Sequence, residues 1–512
     1  MPTLYTALRA RHRHARPKVD QPDLPAPKPR TKGKDIAAPL LKWTAAVTSP
    51  AKPGLHAQKV VARKKVIVVG AGLAGLCAAF ELKAMGYEVD VYEARNRVGG
   101  RVHTLRKFAR GKKAEAGAEL IGSNHPLWIA YKEHFGLHFT DVKDYGNSPI
   151  RLKGRTLTFE ESEKLIDEME AHQKALEERA ATIVDPFEPW TNRDASRLDG
   201  VSLMHWLNRL KKCSRRSRQA LAEMLAADNG VPAKEQSLLG VLAMIKGGGL
   251  HQYWTDAEVY RCKEGNDELA SQFQRELNRG GPNVHLNRPV ESITEQKESG
   301  KVAVKIKGKR EPDEADDVIL AVPPSVWNGI IFEDKSLARI LRLAPGMGSN
   351  VKYLMRFNER FWENFGNSPS MTEDGPVDIT WETTEAKKSP DHVMVAFSGS
   401  DDAKECLNWS PSERRANYVR ALQPVYPGIG GKMRHSEFQD WPNKEWTKAS
   451  YYFPRINEVT RWGPFWKAGY GGWLHFAGEH TCYAFMGYME GALSSGFRLA
   501  RRLAVRDGIF SA

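Results

Sequence analysis

Three glycines spaced G-x-G-x-x-G (Gly70, Gly72 and Gly75), followed by the acid Glu93, are the first residues here whose types and spacing can do chemistry. Gly70 lets the chain turn tightly, Gly72 lets a pyrophosphate approach the backbone, and Gly75 lets a helix pack closely on a strand. An acid about 20 residues further on is placed to accept ribose hydroxyls. The elements that must position these residues are legible on both sides. Val66-Ile67-Val68-Val69 is a buried-strand run, and Leu73, Leu76, Cys77, Phe80 and Ala84 recur at helical spacing. Gly86 stands where a helix stop belongs, and residues 89–92 form a second strand that ends at Glu93. The helix N-terminus offers free N–H groups and a positive dipole end to phosphates. Strand, turn, helix, strand and acid in register predict a dinucleotide site, with Ala74 in the turn and Ala94 after the acid among its contacts.

The next residues narrow the dinucleotide. Arg95-Asn96-Arg97-Val98-Gly99-Gly100-Arg101 resembles the R-x-G-G-R extension of FAD-dependent oxidoreductases related to glutathione reductase. Arginines flanking a flexible Gly-Gly can reach a diphosphate bidentately. Arg95, Gly100 and Arg101 are therefore expected at the cofactor.

Size and charge bound the rest. A chain of 512 residues suits two interleaved domains rather than one core. The formal net charge of +14 is unevenly placed: residues 1–64 hold 14 Lys or Arg against three Asp, which accounts for +11 of it. The high charge belongs to a basic, proline-rich tail over residues 1–62, which reads as disordered because it holds too little apolar surface to offset its chain entropy. The enzyme body is not read as a nucleic-acid binder; the tail is the part able to contact an anionic surface. The five cysteines form no C-x-x-C pair and suggest neither a metal site nor a disulfide framework. Free thiols fit a reducing, cytoplasmic location, with a targeting role for the tail as the other option.

Beyond residue 124 the chain reads as mostly helical to about Lys246, with a helix over residues 160–180 whose apolar face is Leu165, Ile166, Met169 and Leu176, and further helices over 202–225 and 235–245. Lys211-Lys212-Cys213-Ser214-Arg215-Arg216 reads as a solvated basic face. Gly265-Asn266 precedes a helix, short strands follow at 284–286, 290–293 and 302–306, and Asp317 to Val322 is an apolar strand stopped by Pro323-Pro324. A strand-rich segment is expected from Ile331 to about Pro454, then Phe476-Ala477-Gly478-Glu479 and a final helix over 487–503.

Taken together, the Rossmann-type start with Gly99-Gly100-Arg101, Gly265-Asn266, RPVESI, DDVILAVPP, MGSNVKYLMRFNERFW and FAGEHT…GYMEGALSSG resemble the flavin-containing amine oxidases: monoamine, polyamine and L-amino-acid oxidases. The resemblance spans about residues 65–502. It implies an α/β fold in which a glutathione-reductase-like FAD domain (63–124, 252–330 and 455–512) is interleaved with an α+β substrate domain (125–251 and 331–454). It implies oxidation of a small amine to an imine, hydrolysed to an aldehyde plus ammonia or amine, with O2 reduced to H2O2. Lys352 matches a lysine that holds a water near the flavin, and Tyr451 and Tyr488 match the walls of an aromatic cage that orients the amine. Val290, Trp441, Gly478, Glu479 and Met489 match cofactor contacts. Ser450 stands where monoamine oxidases carry the cysteine that attaches FAD, so FAD is expected to be noncovalent. The residues after Gly117-Ala118 lack the arginine with which L-amino-acid oxidases often grip a carboxylate, which disfavours but does not remove the reading as an L-amino-acid oxidase giving a 2-oxo acid. Glu119 and Glu382 are candidates to attract a second amine, or structural residues. A non-catalytic FAD-binding interaction protein is the rival from another class; Lys352 and Tyr488 argue against it. A homodimer is one arrangement the resemblance leaves open.

Overall fold

The structure, a computed structural model, describes residues 64–142, 146–210, 214–383 and 390–509. The basic tail and Lys211-Lys212-Cys213 lie outside the described residues.

The first strand, Lys65–Val69, is buried over four of its five residues, as its unbroken apolar run requires of a strand covered on both faces. It pairs in parallel with Glu88–Tyr92 on one side and Asp317–Leu320 on the other. Val284–His285 and Leu474–Phe476 complete a five-stranded parallel sheet at its two edges. The helix Leu73–Ala84 crosses from the first strand to the second and is buried along most of its length. It is covered by the last helix, Met489–Arg506, so closely that a Cβ on Gly496 would stand 2.3 Å from the Ala74 carbonyl oxygen. The C-terminal helix is also tied to the sheet, through Arg506 to Asp317 at 2.7 Å. A four-stranded sheet that includes Val290–Gln296 and Lys301–Ile306 lies between these segments in sequence.

A second architecture faces this one. Seven strands, in the order His435–Gln439, Asn350–Phe357, His392–Gly399, Ile379–Glu382, Met371–Glu373, Ile150–Leu152 and Arg155–Thr156, form a mixed sheet. Alternation along Asn350–Phe357 sorts its side chains onto two faces. Val351, Tyr353, Met355 and Phe357 enter a core with Phe361, Trp362 and Tyr418. Leu354 enters another with Trp381, Val393 and Val395, and Asn350 and Lys352 share that second face. The largest core surrounds the helix Phe159–Ala180, which buries the expected Leu165, Ile166, Met169 and Leu176.

Two departures from the sequence reading concern helices. Residues 202–225 are two helices, Leu203–Asn208 and Arg215–Asn229, each started by a serine that caps its third residue. The segment after Ile331 is not uniformly strand-rich. It contains Lys335–Arg342, Ser400–Asn408 and Pro411–Leu422, the last begun by a capping box between Ser410 and Glu413. The Ser410-Pro411-Ser412-Glu413 pattern is a helix-start signal legible in the sequence, set among strong strands.

Candidate active site

The two architectures meet at a cavity of about 520 Å³. It runs from the glycine turn, past Glu93 and Arg95, to Lys352, Tyr451 and Tyr488. Its far walls are apolar, with Met244, Ile379, Trp381 and Phe397 contributed by the helical region and the mixed sheet.

At the dinucleotide end the glycines divide their work as expected. A Cβ on Gly72 would enter open space, which is what close approach of a phosphate needs. A Cβ on Gly75 would stand 2.1 Å from the Gly70 carbonyl oxygen, so Gly75 serves helix–strand packing and does not line the cavity. Gly70, Ala74, Ala94 and Gly100 do line it. The helix Leu73–Ala84 has no side-chain cap, which leaves its first N–H groups to a ligand. Glu93 is buried, and its oxygens accept from Ala71 N at 2.8 Å and Arg95 N at 2.9 Å. Each carboxylate oxygen keeps a further lone pair for a ribose hydroxyl.

The arginines behave differently from one another. Arg97 turns its guanidinium back onto its own loop, donating to the carbonyls of Val98, Gly100 and Val102, and does not line the cavity. The bidentate reach expected of both arginines flanking Gly-Gly thus fails for Arg97, because the loop's turned-in carbonyls need its donors. Arg101 lines the cavity while donating to Glu479 and to the Ser450 carbonyl, each at 2.7 Å. Arg95 lines it too and donates to the Thr447 hydroxyl.

The opposite wall comes from the C-terminal half. Glu479 also accepts from Gly487 N at 3.0 Å, which holds the FAGEHT segment against the loop before Tyr488. Trp441 donates its ring N–H to the Ala116 carbonyl at 2.9 Å, and Val290, Gly478 and Met489 complete this lining. His480 lines the cavity with both ring nitrogens buried and unpartnered, and burial pushes its pKa down to about 3. An open cradle at Gly72, uncapped N–H groups and a buried acid for ribose together fit a bound flavin dinucleotide. None of the four described cysteines lines the cavity, and Ser450 donates its hydroxyl to Asn350 Oδ1 at 2.6 Å.

Lys352 and the two tyrosines are brought into this one cavity. Lys352 is buried, and its ammonium donates to Glu119 Oε2 at 2.9 Å, to the Gly117 carbonyl at 2.8 Å and to the Glu115 carbonyl at 3.3 Å. Its three N–H donors are thereby engaged. Arg261 and the Trp381 ring N–H hold the other Glu119 oxygen at 2.8 and 2.9 Å. Burial opposes the Glu119 charge, but Lys352 and Arg261 overcome it and bring its pKa down to about 2. Glu119 is thus neither free to attract a second amine nor bound to backbone; it is the hub of two buried cations. Glu382, likewise proposed for a second amine, does not line the cavity; it accepts from Arg360 at 2.8 Å and contacts His392 at 3.0 Å. Sequence distance conceals the Glu119 network, since Arg261, Trp381 and Lys352 reach Glu119 from segments more than a hundred residues away.

Tyr451 and Tyr488 are adjacent through Gly487, whose Cβ would stand 3.1 Å from the Tyr451 ring. Tyr488 packs edge-on to His125 at 5.2 Å, and Tyr451 donates its hydroxyl to the Asp228 carbonyl.

Residues 73–504 match the family model of flavin containing amine oxidoreductases. The chain belongs to that family. An amine oxidase (flavin-containing) of Danio rerio is 27% identical over 469 residues, 86% of each chain. A putrescine oxidase of Kocuria rosea is 28% identical over 415 residues, covering 76% of this chain and 84% of that one. Among solved structures, putrescine oxidase bound to putrescine superposes with a TM-score of 0.78 at 24% identity, covering 87% of this chain and 99% of that one. Cyclohexylamine oxidase of Brevibacterium oxydans gives 0.76 at 23% identity over the same shares. This flavin-dependent amine oxidoreductase therefore has the fold of those enzymes. Among its described residues, no helix is long and apolar enough to cross a membrane, and no cluster of ligating side chains is placed to hold a metal ion.

Proposed function

We propose that the protein oxidises a small amine to an imine, which water hydrolyses to an aldehyde plus ammonia or a smaller amine, while O2 is reduced to H2O2. The observation that carries this reading is the joining of a dinucleotide cradle and two adjacent tyrosines in one cavity. A flavin held there by the Gly72 cradle, Glu93 and the N-terminus of Leu73–Ala84 would supply the hydride acceptor and the two-electron route to O2.

The chain's residues act on the amine and on charge. Tyr451 and Tyr488 make an apolar slot that aligns the nitrogen and the carbon beside it, and their π-faces attract the cation as it enters. Excluding water from this slot keeps the amine's lone pair available when the C–H bond breaks. The group of Lys352, Arg261 and Glu119 carries two cations against one anion, so its net positive charge favours an electron-rich cofactor and the reduction of O2. Ser450 in place of a thiol, and the absence of any described cysteine from the lining, support noncovalent FAD.

The reading as an L-amino-acid oxidase has less support. Substrate carboxylates need an uncommitted cation, and Lys352, which lines the cavity, is already paired with Glu119. A peroxide assay of the purified protein against monoamines, diamines and amino acids tests the proposal: peroxide from amines is expected, and peroxide from amino acids alone would overturn it.

A further inference from the structure

A second cleft, of about 480 Å³, shares no lining residue with the cavity that holds Lys352, and the chemistry above does not use it. One wall is residues 103–108, from the hairpin that pairs Thr104–Ala109 with Lys112–Glu115. The other is Arg356, on Asn350–Phe357, with His435 and Glu437 on the edge strand His435–Gln439 beside it. The hairpin register shifts between Leu105 and Ala109. Such an irregularity re-aims side chains that regular alternation would send to opposite faces. It accounts for Arg106 and Lys107, adjacent in sequence, lining the same cleft.

The lining is one-sided in charge. It carries Arg106, Lys107 and Arg356, the imidazoles of His103 and His435, and a single acid, Glu437. Arg106 is already committed, its guanidinium meeting Asp267 at 2.6 and 3.1 Å. Arg356 is held but not neutralised. Its Nη1 donates to the Phe108 carbonyl at 3.2 Å, which ties the guanidinium to the opposite wall. Asp391 lies 3.9 Å from that Nη1 and is bound more closely by Arg110, at 2.9 Å. Arg356 Nη2 and Lys107 Nζ have no hydrogen-bond partner among the described residues. Glu437 pairs with neither and accepts from Gln439 Nε2 at 2.6 Å. His103 registers the same excess: burial first, then Arg97, Arg106 and Lys444, push its pKa down to about 4 against the opposing charge of Asp267.

A guanidinium and an ammonium without acids of their own, set in one cleft, call for an anion. Two permanent charges match a dianion better than a single carboxylate. A phosphate group carries close to two negative charges at neutral pH and offers three strong acceptor oxygens. Guanidinium and ammonium groups are the two side-chain cations that bind phosphate, one as a planar fork and the other as a point charge. We propose that this cleft binds a small phosphate-bearing anion, held by Arg356 and Lys107. The site is separate from amine oxidation and stands whether or not that reading holds.

The experiment uses the flavin-loaded full chain, so that the dinucleotide cradle is filled. Inorganic phosphate and glucose 6-phosphate are titrated by calorimetry, with ionic strength held constant by sodium chloride. Saturable binding of one phosphate group per chain is expected, with the flavin absorbance unchanged. Equal affinities identify free phosphate as the ligand, and a tighter ester identifies a phosphorylated small molecule. Lys107→Gln and Arg356→Gln are each expected to weaken binding about fivefold or more. Lys113→Gln, an equal charge change on the same hairpin outside the cleft, is expected to weaken it less than about twofold. With phosphate bound, the His103 imidazole, followed by NMR, is expected to titrate closer to its ordinary value of 6.5, and to do so less in Lys107→Gln. Absence of saturable binding would overturn the proposal. So would a loss in Lys113→Gln equal to that in Lys107→Gln, which means diffuse surface charge, or release of flavin by phosphate, which means binding in the cradle. Should Arg356→Gln fail to fold, the exposed Lys107→Gln carries the comparison.

Discussion

Lys352 shows how one side chain can carry two duties that must be separated by measurement. It pins residues 115–119 to the mixed sheet, and it brings positive charge to the cavity. Lys352→Met keeps the length of the side chain but leaves Glu119 with Arg261 and Trp381 alone. A melting loss of about 3 kcal/mol is expected from the broken buried pair. Adding Glu119→Gln should restore much of it, because no bare charge then remains. Stopped-flow kinetics of both variants separate the second duty. Reoxidation by O2 is expected to stay about 10²-fold slow, near 2.7 kcal/mol, in the double variant, while anaerobic reduction by amine is nearly unchanged. Recovery of reoxidation together with melting temperature would make Lys352 a structural residue only. Ser450 gives a second expectation at this scale: acid precipitation should leave yellow flavin in the supernatant, and flavin retained on the polypeptide would refute noncovalent binding. Single residues were unevenly legible in the sequence. The glycines, Glu93, Lys352 and Tyr488 stand in motifs with local spacing, whereas the partners of Glu119 acquire meaning only once distant segments touch.

At the scale of elements, the helix Pro126–Phe135 takes its N-terminal satisfaction from another helix. Glu490, the second residue of Met489–Arg506, accepts from Leu127 N at 3.1 Å and Trp128 N at 3.0 Å. Glu490→Ala is expected to cost about 1–3 kcal/mol, since it leaves two buried donors unpaired. Burial raises the Glu490 carboxyl to about 7. Its proton is therefore held more tightly in the folded chain than in the unfolded one. The stability this gives is full below the unfolded value near 4.5 and is lost as pH rises through about 7. Glu490→Gln should flatten that part of the melting profile. The strands and long helices are legible because their apolar periods are strong, and the Rossmann-type start is legible almost residue by residue. The helices inside residues 331–454 are less legible because short helices buried on one face leave apolar spacings that a strand can also satisfy.

Across the whole molecule, the buried carboxyls act together. Glu81 is raised to about 7 and Glu115 to about 8, each chiefly by burial, and Glu490 follows the same direction. The part of the melting profile that these three carboxyls set is expected to fall as pH goes from about 5 to 8, and Glu81→Gln, Glu115→Gln and Glu490→Gln should flatten it; the buried His480, held down to about 3, works the other way up to its unfolded value near 6.5. Glu119 works in the opposite sense: its depressed pKa gives stability that disappears only as pH falls from about 4.5 towards about 2. A profile that those Glu→Gln substitutions leave unchanged would contradict this account. The five-stranded sheet has a further consequence, one of timing during synthesis. Its first strand and first helix are translated early, yet the edge strand Leu474–Phe476 and the covering helix Met489–Arg506 emerge last. Until the ribosome has released them, one face of Leu73–Ala84 stays bare and the wall carrying Tyr451, Glu479 and Tyr488 does not exist. Flavin loading thus belongs after termination, and a nascent chain stalled before about residue 489 should emerge without cofactor and lean on chaperones.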